Sequence, residues 1–412
     1  MKPRVLFLSI DGMTDPLGQS QVIPYQLGLA RKGYDITIIS CEKKENLVRN
    51  EKAVKLLLEG AGIKWKYCLY SRKIPLLSQR GNLQRLKKIA LAEAKACKGK
   101  LIAHCRSYLP ALVGMELKKK LHAKFIFDMR GFWADERVEG GIWKLKNPVH
   151  KSAYKYFKRK EKTLLAKADH VVTLSHQAKY IIEGWKIRKD PHISTIPCCA
   201  DLEHFSIKNE KEVMDTRKKI GIKKDAFVFG YLGSLGTWYM LDEMLDLFVE
   251  EQKNNEKAVL VFVTPDKAEP IVTAAKKKGI STDKLIIKYG ARNEVPGLIS
   301  IFNAGLFFIR PTFSKKASSP TKMAEILACG VPVITNRGIG DCDMIIRETN
   351  CGVTIDQFTA KAYKEALSAL HKHHYDPHHL HHVARKYFSL EKGVDQYHEI
   401  YQELTVPNKA AR

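Results

Sequence analysis

Short, continuous apolar runs separated by helix-length segments recur from one end of this chain to the other, and that alternation restricts its fold more than any other feature. In the first half the runs are RVLFLSI (4–10), YDITIIS (34–40), IKWKYCLY (63–70), LIAHC (101–105), KFIFDM (124–129) and HVVTLS (170–175). The second half supplies FVFGYLG (227–233), AVLVFVT (258–264), KLIIKYG (284–290), GLFFIR (305–310), VPVIT (331–335) and CGVTI (351–355). Segments such as 19–31, 80–97, 240–254 and 320–329 between them have helical length and pattern. Strands that are apolar throughout and alternate with helices make parallel sheets covered on both faces. At 412 residues the chain is too long for one core, so the two sets of units predict an α/β protein of two Rossmann-like, doubly wound parallel-sheet domains. Their expected limits are 1–195 and 196–388, joined near STIPCCADLEHF (194–205), with 389–412 as a C-terminal helix packing back on the first domain.

Seventy Lys and Arg against 44 Asp and Glu give a net charge of +26, which favours anionic partners such as phosphates or an acidic membrane surface. No run of 18 apolar residues occurs, and the opening MKPRVLFLSIDG is too short in apolar length for a secretory signal. The nine cysteines are scattered without a CxxC pair and read as reduced thiols, mostly buried, in a cytoplasmic protein.

Three strand-to-helix turns carry the chemistry. In SSPTKMAEILACGVPVITNRGIGD (318–341), Ser319-Pro320 reads as a helix start, with serine as the cap and proline at the first position. Free backbone N–H groups and the helix dipole make such an end an anion site, and Lys322 adds a full charge there. Glu325 lies further along the same helix, placed to accept hydrogen bonds from ribose hydroxyls, with Thr321 between. In GYLGSLGTWYMLDEML (230–245), the small residues Gly233, Ser234, Gly236 and Thr237 let backbone amides approach an anion. It is neither a Walker A motif nor GxGxxG, which disfavours a P-loop ATPase or a simple dehydrogenase. The third turn, DGMTDPLGQSQVIPYQLGLARKG (11–33), follows the first strand and places Gly18-Gln19-Ser20 at a helix opening. Open parallel sheets bind ligands at the carboxyl ends of their strands, so two such domains would set these loops across one cleft.

Two further stretches invite a metal and do not support one. DCD (341–343) follows a glycine turn, where Asp341 reads as a helix cap. HKHHYDPHHLHH (371–382) has irregular spacing and is interrupted by Pro377, so it reads as a solvated segment between helices.

On these motifs the chain resembles the nucleotide-sugar-dependent (Leloir) glycosyltransferases of GT-B fold, specifically the retaining enzymes of family 4. HVVTLSHQAKYII followed by TIPCCADLEHF looks like the family segment ending in a Pro-Asn-Gly-Val-Asp-like turn, here Pro197-Cys198-Cys199-Ala200-Asp201. KMAEILACGVPVI (322–334) is similar to the family's Glu-Ala-Met-Ala-x-Gly-x-Pro-Val motif, whose glutamate, here Glu325, binds the nucleotide ribose. The family's second glutamate falls at Ala317, and its Arg/Lys pair after the GYLG strand is replaced by Ser234 and Thr237. Arg310 and Lys322 are the expected substitutes for neutralising the diphosphate, with Arg292 counted among the donor-binding residues. In FDMRGFWADERVEGGIW (127–143), Asp128 takes the place of the family's catalytic-site histidine, and Arg130 and the tryptophans suit a sugar; His104 also ends a strand.

The resemblance implies a glycosyltransferase that moves a sugar from a UDP- or GDP-sugar to a glycan or lipid-linked acceptor in cell-surface glycan or glycolipid synthesis. It implies no metal and no cofactor beyond the nucleotide diphosphate sugar. Lysine-rich segments 85–100 and 150–168 read as helices with basic faces, which predicts peripheral contact with an anionic membrane. A nucleotide-sugar 2-epimerase on the same fold is the alternative. A basic nucleic-acid-binding protein is disfavoured, because no recognition module or aromatic-rich basic face is present.

Overall fold

The computed structural model describes residues 3–71, 75–189 and 192–405. The chain divides into two compact units, one holding the residues up to Pro197 together with those from Leu390 onward, the other Cys198–Ser389. Of the expected terminal segment 389–412, residues beyond 405 lie outside the described ones.

Among its described residues the first unit has seven strands: β1 (Arg4–Leu8), β2 (Asp35–Glu42), β3 (Lys64–Leu69), β4 (Leu101–Arg106), β5 (Lys124–Asp128), β6 (His170–Thr173) and β7 (Ile193–Thr195). They form one sheet in the order β3-β2-β1-β4-β5-β6-β7, every pair parallel. The second unit contains β8 (Val228–Leu232), β9 (Val259–Val263), β10 (Leu285–Lys288), β11 (Ala304–Leu306), β12 (Val333–Asn336) and β13 (Gly352–Ile355). Its order is β10-β9-β8-β11-β12-β13, again wholly parallel. In each sheet the order reverses beside the first strand, between β1 and β4 and between β8 and β11. Such a switch point opens a crevice at the strand carboxyl ends, where doubly wound sheets take ligands.

Each of the twelve apolar runs coincides with a strand, and β7 is an additional short one. The helical pattern 19–31 is two helices, Pro16–Gln21 and Ile23–Arg31, broken at Val22, where Pro24 enters the first turn of the second. The helix Pro75–Lys95 stops short of the basic segment's end at 100. The terminal helix Leu390–Thr405 belongs to the first unit: Val394 meets Gly28, and the Tyr397 and Tyr25 rings pack edge to face.

Candidate donor site in the second unit and polar network in the first

At the β8–β11 switch point the backbone is stitched together by hydrogen bonds. Met240 N–H donates to the Phe308 carbonyl at 3.0 Å and Arg310 N–H to the Trp238 carbonyl at 2.9 Å. Asn336, at the end of β12, accepts from Ile309 N–H at 2.8 Å and donates to the Ile309 carbonyl at 2.9 Å. The turn after β8 passes through Gly233 and Gly236 at φ +93° and +52°, values that favour glycine. Asp266 receives Leu235 N–H at 2.7 Å and fixes that turn from the neighbouring strand end. Ser234, Gly236, Thr237, Arg292 and Arg310 are exposed around it.

The helix Thr321–Ala328 runs in beside this turn, with Met323, Ala324, Ile326 and Leu327 buried, and stops where Gly330 takes φ +76°. Pro320 occupies its cap position and has no side chain that can accept, so Ser319 is not the cap. The Ser319 hydroxyl instead accepts from Cys198 N–H at 3.1 Å. The expected charge at the helix end is present but is not solvated. Lys322 is 6% exposed, and its ammonium lies 3.8 Å from the Tyr231 ring centroid and 3.4 Å from that of Tyr239. Its Nζ has no hydrogen-bond partner, and a Cβ built on Gly233 would sit 3.8 Å from it. Burial drives the ammonium well below its ordinary pKa, against the pull of Glu325 and Asp266. Glu325, one turn further on, is pushed up to about 7 by burial, with Arg292 and Lys322 pulling it back. A cation held in an aromatic clasp without a hydrogen-bond acceptor is a costly arrangement that an anion would complete.

Tyr231, Trp238, Tyr239, Lys315 and Asp266 belong to this site and were not among the sequence candidates. Lys315 lies 3.7 Å from the Trp238 ring centroid. The two tyrosines bracket the glycine turn in sequence, a signal that pointed at the turn and not at the lysine they clasp.

In the first unit the candidates sit deeper than the sequence suggests. His104 is 1% exposed and bonds through Nδ1 to the Tyr401 hydroxyl at 2.7 Å. Burial lowers its pKa, against the pull of Asp128, so the ring is neutral. Asp128 is 2% exposed, accepts from the Tyr397 hydroxyl at 3.3 Å and faces Arg130 at 3.6 Å. Burial works to raise the Asp128 carboxyl, but Arg130 and His104 outweigh it and hold it below the usual range. Neither side chain opens to solvent. Together they anchor the terminal helix and orient Arg130, whose own backbone sits at φ +56°. Ser107, at the end of the adjacent β4, sits at φ +68°. Such outliers cost on the order of 1–3 kcal/mol each and persist where the surroundings enforce them.

Of the expected sugar-binding aromatics Trp143 is buried and Trp133 half-buried. Trp133 packs against Tyr108, Trp143 and Phe157, while Asp135 accepts from the Tyr154 hydroxyl and Lys158, each at 2.8 Å. Gly18 lies inside a short helix that starts at Pro16, so Gly18-Gln19-Ser20 do not open it. A side chain at Gly18 would strike the backbone of Gly12 and Met13, and Gln19 donates to the Thr14 carbonyl at 3.1 Å. The Asp341 side chain does not cap the helix Cys342–Thr349; Asp343 accepts from Gly338 N–H at 3.1 Å. In the histidine-rich segment His371 contacts Glu251 at 2.9 Å, and His379 and His381 bond the carbonyls of Thr349 and Ala328; most of the segment is exposed, as expected, but its second half, from Pro377, opens the helix Pro377–Phe388 and does not lie between helices.

Two family models match the chain, one in each half. Residues 27–204 match Glycosyltransferase Family 4 and residues 213–387 match Glycosyl transferases group 1. A D-inositol 3-phosphate glycosyltransferase of Corynebacterium urealyticum is 26% identical over 257 residues, a match spanning 58% of each chain. A glycosyltransferase from Rickettsia africae superposes with a TM-score of 0.71 at 16% identity, over 98% of this chain and 99% of that one. Anabaena Alr3699/HepE in complex with UDP-glucose gives a TM-score of 0.69 at 14% identity, over 97% and 99%. The fold is therefore that of the GT-B glycosyltransferases. The chain's first half is similar to the family 4 type of domain and its second half to the group 1 type.

Proposed function

We propose that this protein transfers a sugar from a nucleotide diphosphate donor, a UDP- or GDP-sugar, to an acceptor hydroxyl, with the second unit holding the donor and the first the acceptor. The Lys322 ammonium carries this reading: it is buried, lacks an acceptor and lies beneath the Gly233 turn at a sheet switch point. A diphosphate over that turn supplies the missing acceptor. Glu325 then takes the ribose hydroxyls, and Arg310 with the amides of Ser234–Thr237 neutralises the outer phosphate. The UDP-glucose complex of the Anabaena protein supports a uridine donor.

Bond cleavage puts negative charge on the departing diphosphate. Fixed donors aimed at that charge lower the barrier, and a cation such as Lys322 serves where other enzymes use a metal. Transfer then runs on the front face with retention, as in the enzymes the sequence resembles, the leaving diphosphate helping to take the acceptor proton. Asp128 and His104 act as positioning groups for Arg130.

The acceptor class proposed is a glycan or lipid-linked sugar met at an anionic membrane surface. The exposed apolar residues Ile142, Leu145, Val149 and Tyr156 support it, interleaved with exposed Lys144, Lys146, Lys151, Lys155 and Arg159. Among the described residues no helix is long and apolar enough to cross a membrane. Apolar insertion and basic attraction together give peripheral binding, about 1 kcal/mol per basic residue near the surface.

A thermal-shift screen of nucleoside diphosphates and their sugars tests the donor reading. A ligand at a hundred times its Kd stabilises by about 2.7 kcal/mol. UDP or GDP should raise the melting temperature; no shift with any nucleoside diphosphate would end this reading.

A further inference from the structure

In the first unit β2 and β3 run parallel with Cys41 in register opposite Cys68, and their sulfurs are 3.4 Å apart. A disulfide needs an S–S distance of about 2.05 Å and Cα atoms about 4.4–6.8 Å apart. Adjacent strands already stand about 4.8 Å apart, so mainly the sulfurs have to move.

The two thiols differ. Cys41 is 1% exposed and Cys68 9%. The hydrogen bond from Cys41, helped by the Arg85 guanidinium, brings the Cys68 thiol down to about 7 against the effect of burial. That same bond and burial push Cys41 up. Cys68 is therefore the nucleophile and Cys41 the resolving thiol. The next residue, Glu42, is fully buried and accepts from Met13 N–H at 2.7 Å and Thr14 N–H at 3.1 Å. A displacement at Cys41 thus reaches the loop after β1 through one peptide unit.

We propose that Cys41 and Cys68 form a reversible oxidation site whose closure loosens the hold of Glu42 on the loop after β1. The Cys68 thiolate attacks a hydroperoxide, the O–O bond breaks, and the Cys68 sulfenic acid forms as hydroxide leaves. The Cys41 sulfur then attacks the Cys68 sulfur, the S–S bond forms, and water leaves with the thiol proton. Two thiols are oxidised and one hydrogen peroxide is reduced to two waters. A dithiol reductant reverses the step.

The full-length protein is treated with hydrogen peroxide, blocked with N-ethylmaleimide, digested and read by mass spectrometry, and its amide exchange is followed in parallel. The expected result is a Cys41–Cys68 linked peptide, two of the nine thiols lost and regained with dithiothreitol, and severalfold faster exchange at Met13 and Thr14. Cys68→Ser should abolish the link and leave exchange unchanged under peroxide. Oxidation of the half-buried Cys97 while Cys41 and Cys68 stay free for blocking would overturn the site. A link with unaltered exchange at Met13 and Thr14 would overturn its coupling to the loop. Neither result bears on donor binding in the second unit.

Discussion

Replacing Lys322 with methionine should stabilise the nucleotide-free protein and weaken donor binding at the same time. The lysine is 6% exposed and its ammonium has no hydrogen-bond acceptor; two tyrosine faces and the more distant Glu325 and Asp266 charges compensate it in part. Cation–π contacts contribute about 0.5–2 kcal/mol each, and a buried ion loses several kcal/mol of hydration. Methionine keeps the length and removes the charge, so the expected gain is about 2 kcal/mol. For a unit of about 190 residues that is a rise of about 4–8 °C in melting temperature. The pH dependence gives a second signature. The folded-state pKa is depressed, so the unfolded chain binds more protons between that value and the ordinary lysine value of about 10.4. Wild-type stability should rise with pH through this window, its cost being fully present below it, and Lys322→Met should remove that rise. Loss of a charged hydrogen bond to the diphosphate costs about 1.5–3 kcal/mol, weakening UDP or GDP by about 10–100-fold. Scanning fluorimetry from neutral to alkaline pH, with and without nucleotide, measures all three effects. A variant that melts lower without nucleotide and still binds it like the wild type would mean that Lys322 neither carries a burial cost nor contacts the diphosphate.

Glu325→Gln should weaken the donor about tenfold or more, and wild-type affinity should tighten as pH rises through about 7, when the carboxylate forms and accepts from ribose. Because that pKa is raised on folding, the contribution of Glu325 to nucleotide-free stability is present below about pH 4.3 and lost as pH rises through about 7, a slope that the glutamine variant lacks in urea titrations. Tyr401→Phe strands the buried His104 Nδ1 and should cost about 1–3 kcal/mol, read as a lower urea midpoint. Transfer activity should survive EDTA if Lys322 and Arg310 neutralise the leaving group as proposed; loss restored by magnesium or manganese would show that a cation shares that task. The protein should sediment with vesicles containing anionic lipid and be released by salt, and Leu145→Ser with Val149→Ser should weaken it, while equal binding to neutral vesicles would contradict the basic face.

The strands were legible because a strand buried on both faces is apolar along its whole length, as VLVFV of β9 is. β7 escaped because it is three residues long, IST, and only its first is buried. The helix at 321 was one residue off, since Ser-Pro reads equally as cap plus first position or as the two residues before it. Charge and polarity pointed to Lys322, Asp128 and His104 but not to their burial. That depends on Tyr231 and Tyr239 for the lysine and on Tyr397 and Tyr401 for the other two, partners remote in sequence that only the sheet order and the terminal helix bring near.

Transfer from a nucleotide diphosphate sugar is read most plainly by phosphorus and proton NMR of UDP- and GDP-sugars incubated with the protein and candidate sugar or lipid-linked acceptors. The expected products are the free nucleoside diphosphate and a new glycosidic anomeric signal with the donor's own configuration. A sugar inverted at its second carbon and still attached to the nucleotide, formed without any acceptor, would contradict transfer.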